Sequence, residues 1–187
     1  MADRLNTAFV LGYHGCDADV AERLLAGEPF RPSENDYDWL GSGIYFWEKN
    51  PERGLDFAKE LKALGRGSVE TPGVVGAIID LGLCLDLSTK ASIDQVRNAY
   101  EQLTTLIETA EAALPENHED GLRRKLDCAV VNLVHDIRDE AGDPPIDTVR
   151  GIFLEGEPIY PSAGFFEKTH VQICVRNPDC VKGVFRL

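Results

Sequence analysis

The sequence predicts an α+β domain in which a helical pair is set into a β framework. Three observations predict it. In the first half of the chain, short apolar runs at 8–13, 44–47 and 74–87 alternate with amphipathic segments. Residues 92–141 then change texture, with apolar positions spaced by three and four. From residue 147 short apolar runs return, punctuated by Gly156, Pro158, Pro161 and Gly164. The order β-α-loop-β-α-β, helical pair, β-β-β belongs to an α+β fold.

The elements follow in order. Ala-Phe-Val-Leu-Gly-Tyr at 8–13 reads as a buried strand ending at His14-Gly15. Asp17 caps a short helix to Ala26, with Val20, Leu24 and Leu25 as its stripe and Gly27 as its stop. A polar loop over 28–43 leads into an aromatic strand, Ile44 to Trp47. Pro51 suits the first turn of a helix to Leu64, whose inner side is Leu55, Ala58 and Leu61. Val74 to Leu87 reads as a strand pair or one bent strand, interrupted by Gly82. Ile93, Val96, Tyr100, Leu103, Ile107, Ala110 and Leu114 form an apolar seam along one helix. Leu122, Leu126, Leu133 and Ile137 mark a second, ended by Gly142-Asp143-Pro144-Pro145. Strands are expected at Thr148–Leu154, Val171–Val175 and Val181–Phe185.

A chain of 187 residues fits one domain over 1–187. Its longest apolar runs, such as Val74 to Ile79, are far shorter than the ~20 residues of a membrane helix, so no membrane association is expected. A net charge of −13 repels phosphate backbones and disfavours a non-specific nucleic-acid coat, though not one local basic groove. Cys16, Cys84, Cys128, Cys174 and Cys180 are odd in number and lack a Cys-x-x-Cys pair, which fits a reduced compartment and no metal site. The N-terminus has no basic stretch followed by an apolar one, so the cytoplasm is the expected location.

Two stretches carry chemistry. In Gly12-Tyr13-His14-Gly15-Cys16 a strand ends with an imidazole beside a residue whose backbone a ligand can approach. In Gly41-Ser42-Gly43-Ile44-Tyr45-Phe46-Trp47 two glycines lead into a strand whose period of two puts Tyr45 and Trp47 on one face and Ile44 and Phe46 on the other. Tyr45 is then expected to stack on a flat ligand. No Gly-x-Gly-x-x-Gly loop and no His-Glu-x-x-His motif occurs.

Taken in sequence, Tyr-His-Gly, the short helix, the loop, Gly-Ser-Gly-Ile-Tyr-Phe and Pro-Glu-Arg-Gly-Leu-Asp-Phe-Ala resemble the NAD-binding half of the poly(ADP-ribose) polymerase-like ADP-ribosyltransferases. The resemblance covers 10–87 and resumes at 165–187; the helical hairpin at about 92–141 has no counterpart in it. It implies a split β-sheet core with that hairpin as an insertion, and NAD as co-substrate. It implies that His14 bonds the adenosine ribose, that the Gly15 backbone pairs with the nicotinamide amide, and that Tyr45 stacks on the ring, with Ser42 and Gly43 lining the site. The loop from Arg31 to Leu40 would close over the dinucleotide with Tyr37 and Trp39 as apolar contacts, and Arg31, Arg53 or Arg150 would meet the pyrophosphate.

The chain departs from the family at the start of a late strand, Lys168-Thr169-His170-Val171-Gln172. Where the polymerases carry a glutamate, this sequence offers His170 or, two residues on, Gln172; the period of two lets both face one cleft. Gln172 is favoured, because its amide bonds a ribose hydroxyl without adding a cation. Glu155 or Glu157 could supply a carboxylate from the preceding loop. The implied activity is transfer of a single ADP-ribose to a macromolecular acceptor, protein or nucleic acid, in the manner of a toxin or defence effector restrained by a cognate antitoxin or inhibitor. The alternatives are a catalytically weak NAD- or ADP-ribose-binding module, and an interaction protein acting through its helical hairpin.

Overall fold

A computed structural model describes residues 9–65, 68–119 and 123–187. Ala8, expected to begin the first strand, and Leu122, expected to begin the second hairpin helix, lie outside the described residues, as does the N-terminal stretch.

The chain forms β1 (Phe9–Asp17), α1 (Ala18–Leu25), β2 (Ile44–Glu48), α2 (Pro51–Ala63), β3 (Pro72–Asp80), β4 (Cys84–Asp86), α3 (Lys90–Thr109), α4 (Lys125–Ala141), β5 (Thr148–Phe153), β6 (His170–Val175) and β7 (Val181–Phe185). Local chemistry sets the helix ends. The Asp17 carboxylate accepts from Asp19 N at 2.9 Å and from Glu70 N and Thr71 N at 2.8 Å, so one side chain caps α1 and anchors the start of β3. Asn50 caps α2 by accepting from Arg53 N, and Pro51 occupies the first turn. Gly142, at φ 72°, ends α4 in the left-handed region.

The fold is α+β, as expected, built on a seven-stranded mixed sheet in the order β4-β5-β6-β2-β1-β3-β7. β4 and β5 are parallel; the other neighbours are antiparallel. Residues 74–87 resolve into two strands, yet β3 and β4 lie five positions apart in that order. A flat sheet would separate them by ~24 Å, whereas the three residues between them reach about 14 Å. The sheet therefore curls until its ends approach: Thr148 Oγ1 on β5 donates to Leu81 O at 2.6 Å, just past β3.

The curl defines an inner and an outer face. Ile44 and Phe46 of β2, Ala77 and Ile79 of β3, and Ile173 and Val175 of β6 fill the inner face, and α1 extends it over Cys16 and Val75 through Ala21 and Leu24. The outer face carries α2 over β1 and β3, with its edge on β2, and α3 with α4 over Leu85, Val149 and Cys174 through Ala99, Val130, Val131 and Val134. The hairpin thus packs on the sheet. α3 stops at Thr109 rather than reaching Leu114, because residues 108–113 are exposed and no packed face sustains the helix there.

β1 pairs with β3 along nine positions but with β2 at only two, Gly12 with Glu48 and Tyr13 with Trp47. Past Tyr13, β1 leaves β2, which stays paired to β6. α2 closes on the outer face of this divergence so tightly that a Cβ on Gly15 would lie 1.9 Å from the Gly54 carbonyl oxygen. Gly15→Ala is therefore expected to destabilise the fold by about 2–3 kcal/mol, lowering Tm by roughly 5–10 °C. Gly164→Ala, where an added Cβ meets nothing within 4 Å, is expected to stay within about 0.5 kcal/mol of wild type; thermal unfolding of both variants checks this.

Candidate functional site

The three strands bearing the motif residues lie side by side as β6-β2-β1. His14, at the divergence, turns its ring to the inner face, edge-on to Phe30 at 5.4 Å and near Phe46 at 5.7 Å. Its Nδ1 lies 2.8 Å from the Tyr45 carbonyl oxygen. A carbonyl only accepts, so Nδ1 carries the proton. Burial lowers the His14 pKa, offset in part by this bond, and the ring is neutral with Nε2 as acceptor.

Tyr45 faces the other way. Its ring packs into the outer core beneath α4, and its hydroxyl donates to Gly41 O at 2.8 Å and accepts from Leu40 N at 3.0 Å. The phenol and the His14 imidazole leave the sheet on opposite faces, so they do not line one cleft. The expectation that Tyr45 stacks on a flat ligand is corrected on this ground: its ring is packed and its hydroxyl committed to shaping residues 40–41. Burial pushes its pKa far up. The reading of Gly15 as an open approach is corrected as well, since α2 occupies the space beside it on the outer face.

The loop over 28–43 is pinned to the hairpin. Gly43 pairs with Ser33 through two backbone hydrogen bonds. Ser42 N donates to Asn132 Oδ1 at 3.1 Å, Tyr37 O accepts from Arg124 N at 3.1 Å, and the Arg124 guanidinium lies over the Trp39 ring at 5.3 Å. Ser42, Gly43 and Tyr37 thus hold the second half of the loop against α4 and β6.

A polar cluster does form on the outer face where β2, β6, α2 and residue 155 meet. Gln172 pairs in register with Trp47, and its Oε1 accepts from Trp39 Nε1 at 2.8 Å. His170 shares that face, as the period of two predicts, with its ring 6.4 Å from Trp47, 6.5 Å from Trp39 and 5.7 Å from Phe153. Both residues are more than nine-tenths buried. His170 Nδ1 donates to Lys168 O at 2.6 Å, and burial lowers its pKa, so Nε2 is a bare acceptor at neutral pH. Arg53, 8 % exposed, grips Glu155 through two bonds of 2.9 and 3.0 Å. Lys168 bridges Glu60 at 2.9 Å and lies 3.7 Å from Glu155. Trp47 Nε1, Arg53 Nε and His170 Nε2 are all buried without a hydrogen-bond partner, each at a cost to the fold.

Of the three arginines that could meet a pyrophosphate, Arg53 alone joins this cluster: Arg150 is bound to Glu48 and Asp86, and Arg31 is exposed. Of the loop carboxylates Glu155 joins it, while Glu157 is exposed. Sequence reasoning missed Trp47 and Phe153 as walls of the cluster. For Trp47 the signal was present, since the alternation that groups it with Tyr45 also sets it opposite Gln172. Among the described residues no group of three or more His, Cys, Asp or Glu side chains is placed to hold a metal ion, and no helix is long and apolar enough to cross a membrane.

No protein-family profile and no solved structure matches the chain. It is 25% identical over 189 residues to "Uncharacterized protein MJ0359" of Methanocaldococcus jannaschii, covering 91% of this chain and 83% of that one.

His135, on α4, is a packed histidine 6 % exposed, whose pKa burial and the nearby Arg176 and Arg138 charges lower to about 3. A histidine held neutral in the fold but free to protonate when unfolded contributes fully above about pH 6.5 and costs about 1.4 kcal/mol per unit below it. Between pH 7 and 5 the wild type is therefore expected to lose about 2 kcal/mol more than His135→Gln, measured by urea unfolding of each protein at both pH values.

Proposed function

We propose that this protein binds NAD and transfers its ADP-ribosyl group, with the reacting ribose against the cluster of Trp47, Arg53, Glu155, His170 and Gln172. The observation that carries this reading is that the strands singled out by the family resemblance, β1, β2 and β6, are neighbours in a sheet whose β1–β2 pairing gives out after two positions. The reading takes that divergence as its support for a split core.

The chemistry suits these groups. The bond between the nicotinamide nitrogen and ribose C1′ breaks, its electron pair leaving with nicotinamide, which becomes neutral. The ribose acquires oxocarbenium character, and the acceptor's nucleophile bonds to C1′ and gives up a proton. Indole faces beside the site favour the cationic ribose. The Gln172 amide can orient a ribose hydroxyl, and the bare Nε2 of His170 can take the acceptor's proton. A protein with five free thiols suits a reducing compartment such as the cytoplasm, where a macromolecular acceptor, a role as toxin or defence effector and a restraining inhibitor complete the reading.

One feature favours a second reading, an NAD- or ADP-ribose-binding module without turnover. Both oxygens of the Glu155 carboxylate accept from Arg53 Nη2 with Lys168 close by, so its charge is already largely neutralised. Incubation with adenylate-labelled NAD and a cell lysate separates the two. The transferase reading expects label on macromolecules with release of nicotinamide, reduced about 100-fold in Gln172→Ala. Calorimetric NAD binding without nicotinamide release supports the module, and no NAD binding contradicts both.

A further inference from the structure

We propose that a small cavity between the C-terminal half of α4, residues 145–146 and Arg176 binds a phosphate-sized oxyanion, free or as a terminal phosphoryl group. The cavity is lined by His135, Arg138 and Asp139 of α4, by Pro145 and Ile146 ahead of β5, and by Arg176 just past β6. His170 of the polar cluster opens β6, so the two places lie about 20 Å apart along one strand, and this proposal does not rest on the NAD reading. The cavity measures about 60 Å³. That is room for roughly four waters, and so for the four oxygens of a tetrahedral oxyanion.

Three donor groups argue for an anion. Arg176 is partly buried, yet it forms no salt bridge among the described residues, and its guanidinium meets Ser42 O at 3.5 Å. A cation so placed without a counter-charge is uncommon. Arg138 is held in position by Pro144 O, which accepts from its Nε at 3.3 Å and its Nη2 at 2.8 Å. Its Nη1 lies 3.6 Å from Asp143, whose side chain is 54% exposed, a weak pairing. His135 is 6 % exposed, and burial together with the charges of both arginines keeps it neutral. A neutral imidazole keeps one N–H, and no described group accepts it. Asp139 is the opposing charge: it stands exposed at the rim and pairs with no cation among the described residues. The last carbonyls of α4 do not add to it, because Arg138 O and Asp139 O accept from Asp143 N and Gly142 N.

The test titrates the full chain at neutral pH and fixed ionic strength with inorganic phosphate and, separately, with methyl phosphate, reading the histidine ring signals by proton NMR against a chloride control. Saturable binding is expected, and it shifts the His135 signals, assigned by their loss in His135→Gln, ahead of those of His170. A response to inorganic phosphate alone identifies a free anion; an equal response to methyl phosphate identifies a terminal phosphoryl group. Affinity is expected to fall about tenfold in Arg176→Gln and to rise about threefold in Asp139→Asn. Asp139 is exposed, so the second variant tests the proposal even where the first fails to fold. Linear shifts that chloride reproduces, shifts confined to His170, or wild-type affinity in either folded variant would each overturn the proposal.

Discussion

Much of this molecule depends on one hydrogen bond, from His14 Nδ1 to the carbonyl of Tyr45. Where β1 leaves β2, the ladder stops supplying partners, and an unpaired carbonyl inside a sheet is costly. The imidazole takes the place of a backbone donor. It can do so because its partner, the aromatic inner face of Phe30 and Phe46, keeps the ring neutral and oriented. On the outer face the start of α2 fills the divergence, close against a glycine that cannot be anything larger. The separation of β1 from β2 thus brings Arg53 near the root of β2.

From there the site follows from strand geometry. β2 and β6 are in register, so Trp47 meets Gln172, and the alternation of β6 adds His170. Trp39 arrives from the loop held by Tyr45 and α4. The result concentrates two cations, two carboxylates, a neutral imidazole and two indoles within a mostly apolar setting, where each charge is balanced by a neighbour and three polar atoms are not.

Local features were legible in the sequence. Asp17 as a cap, Pro51 in a first turn, the strand at 44–47 and the shared face of His170 and Gln172 each follow from a short-range rule, and each stands in the fold. The non-local features were not legible. Nothing in residues 74–87 says that β3 and β4 fall five positions apart in the strand order of a curled sheet. The commitment of the Tyr45 hydroxyl to residues 40–41, the filling of the Gly15 site by α2, and the Trp39–Gln172 bond across 133 residues are products of packing. Periodicity groups residues by face, but it does not say whether that face will be open or covered; for Tyr45 it is covered.

The most direct measurement of the central claim is a crystal structure of the protein soaked with a non-hydrolysable NAD analogue. The account expects the nicotinamide ribose on the outer face, within hydrogen-bond distance of Gln172 or His170 Nε2 and beside Trp47. An analogue lodged on the inner face against Phe30, or remote from β2 and β6 altogether, would contradict it.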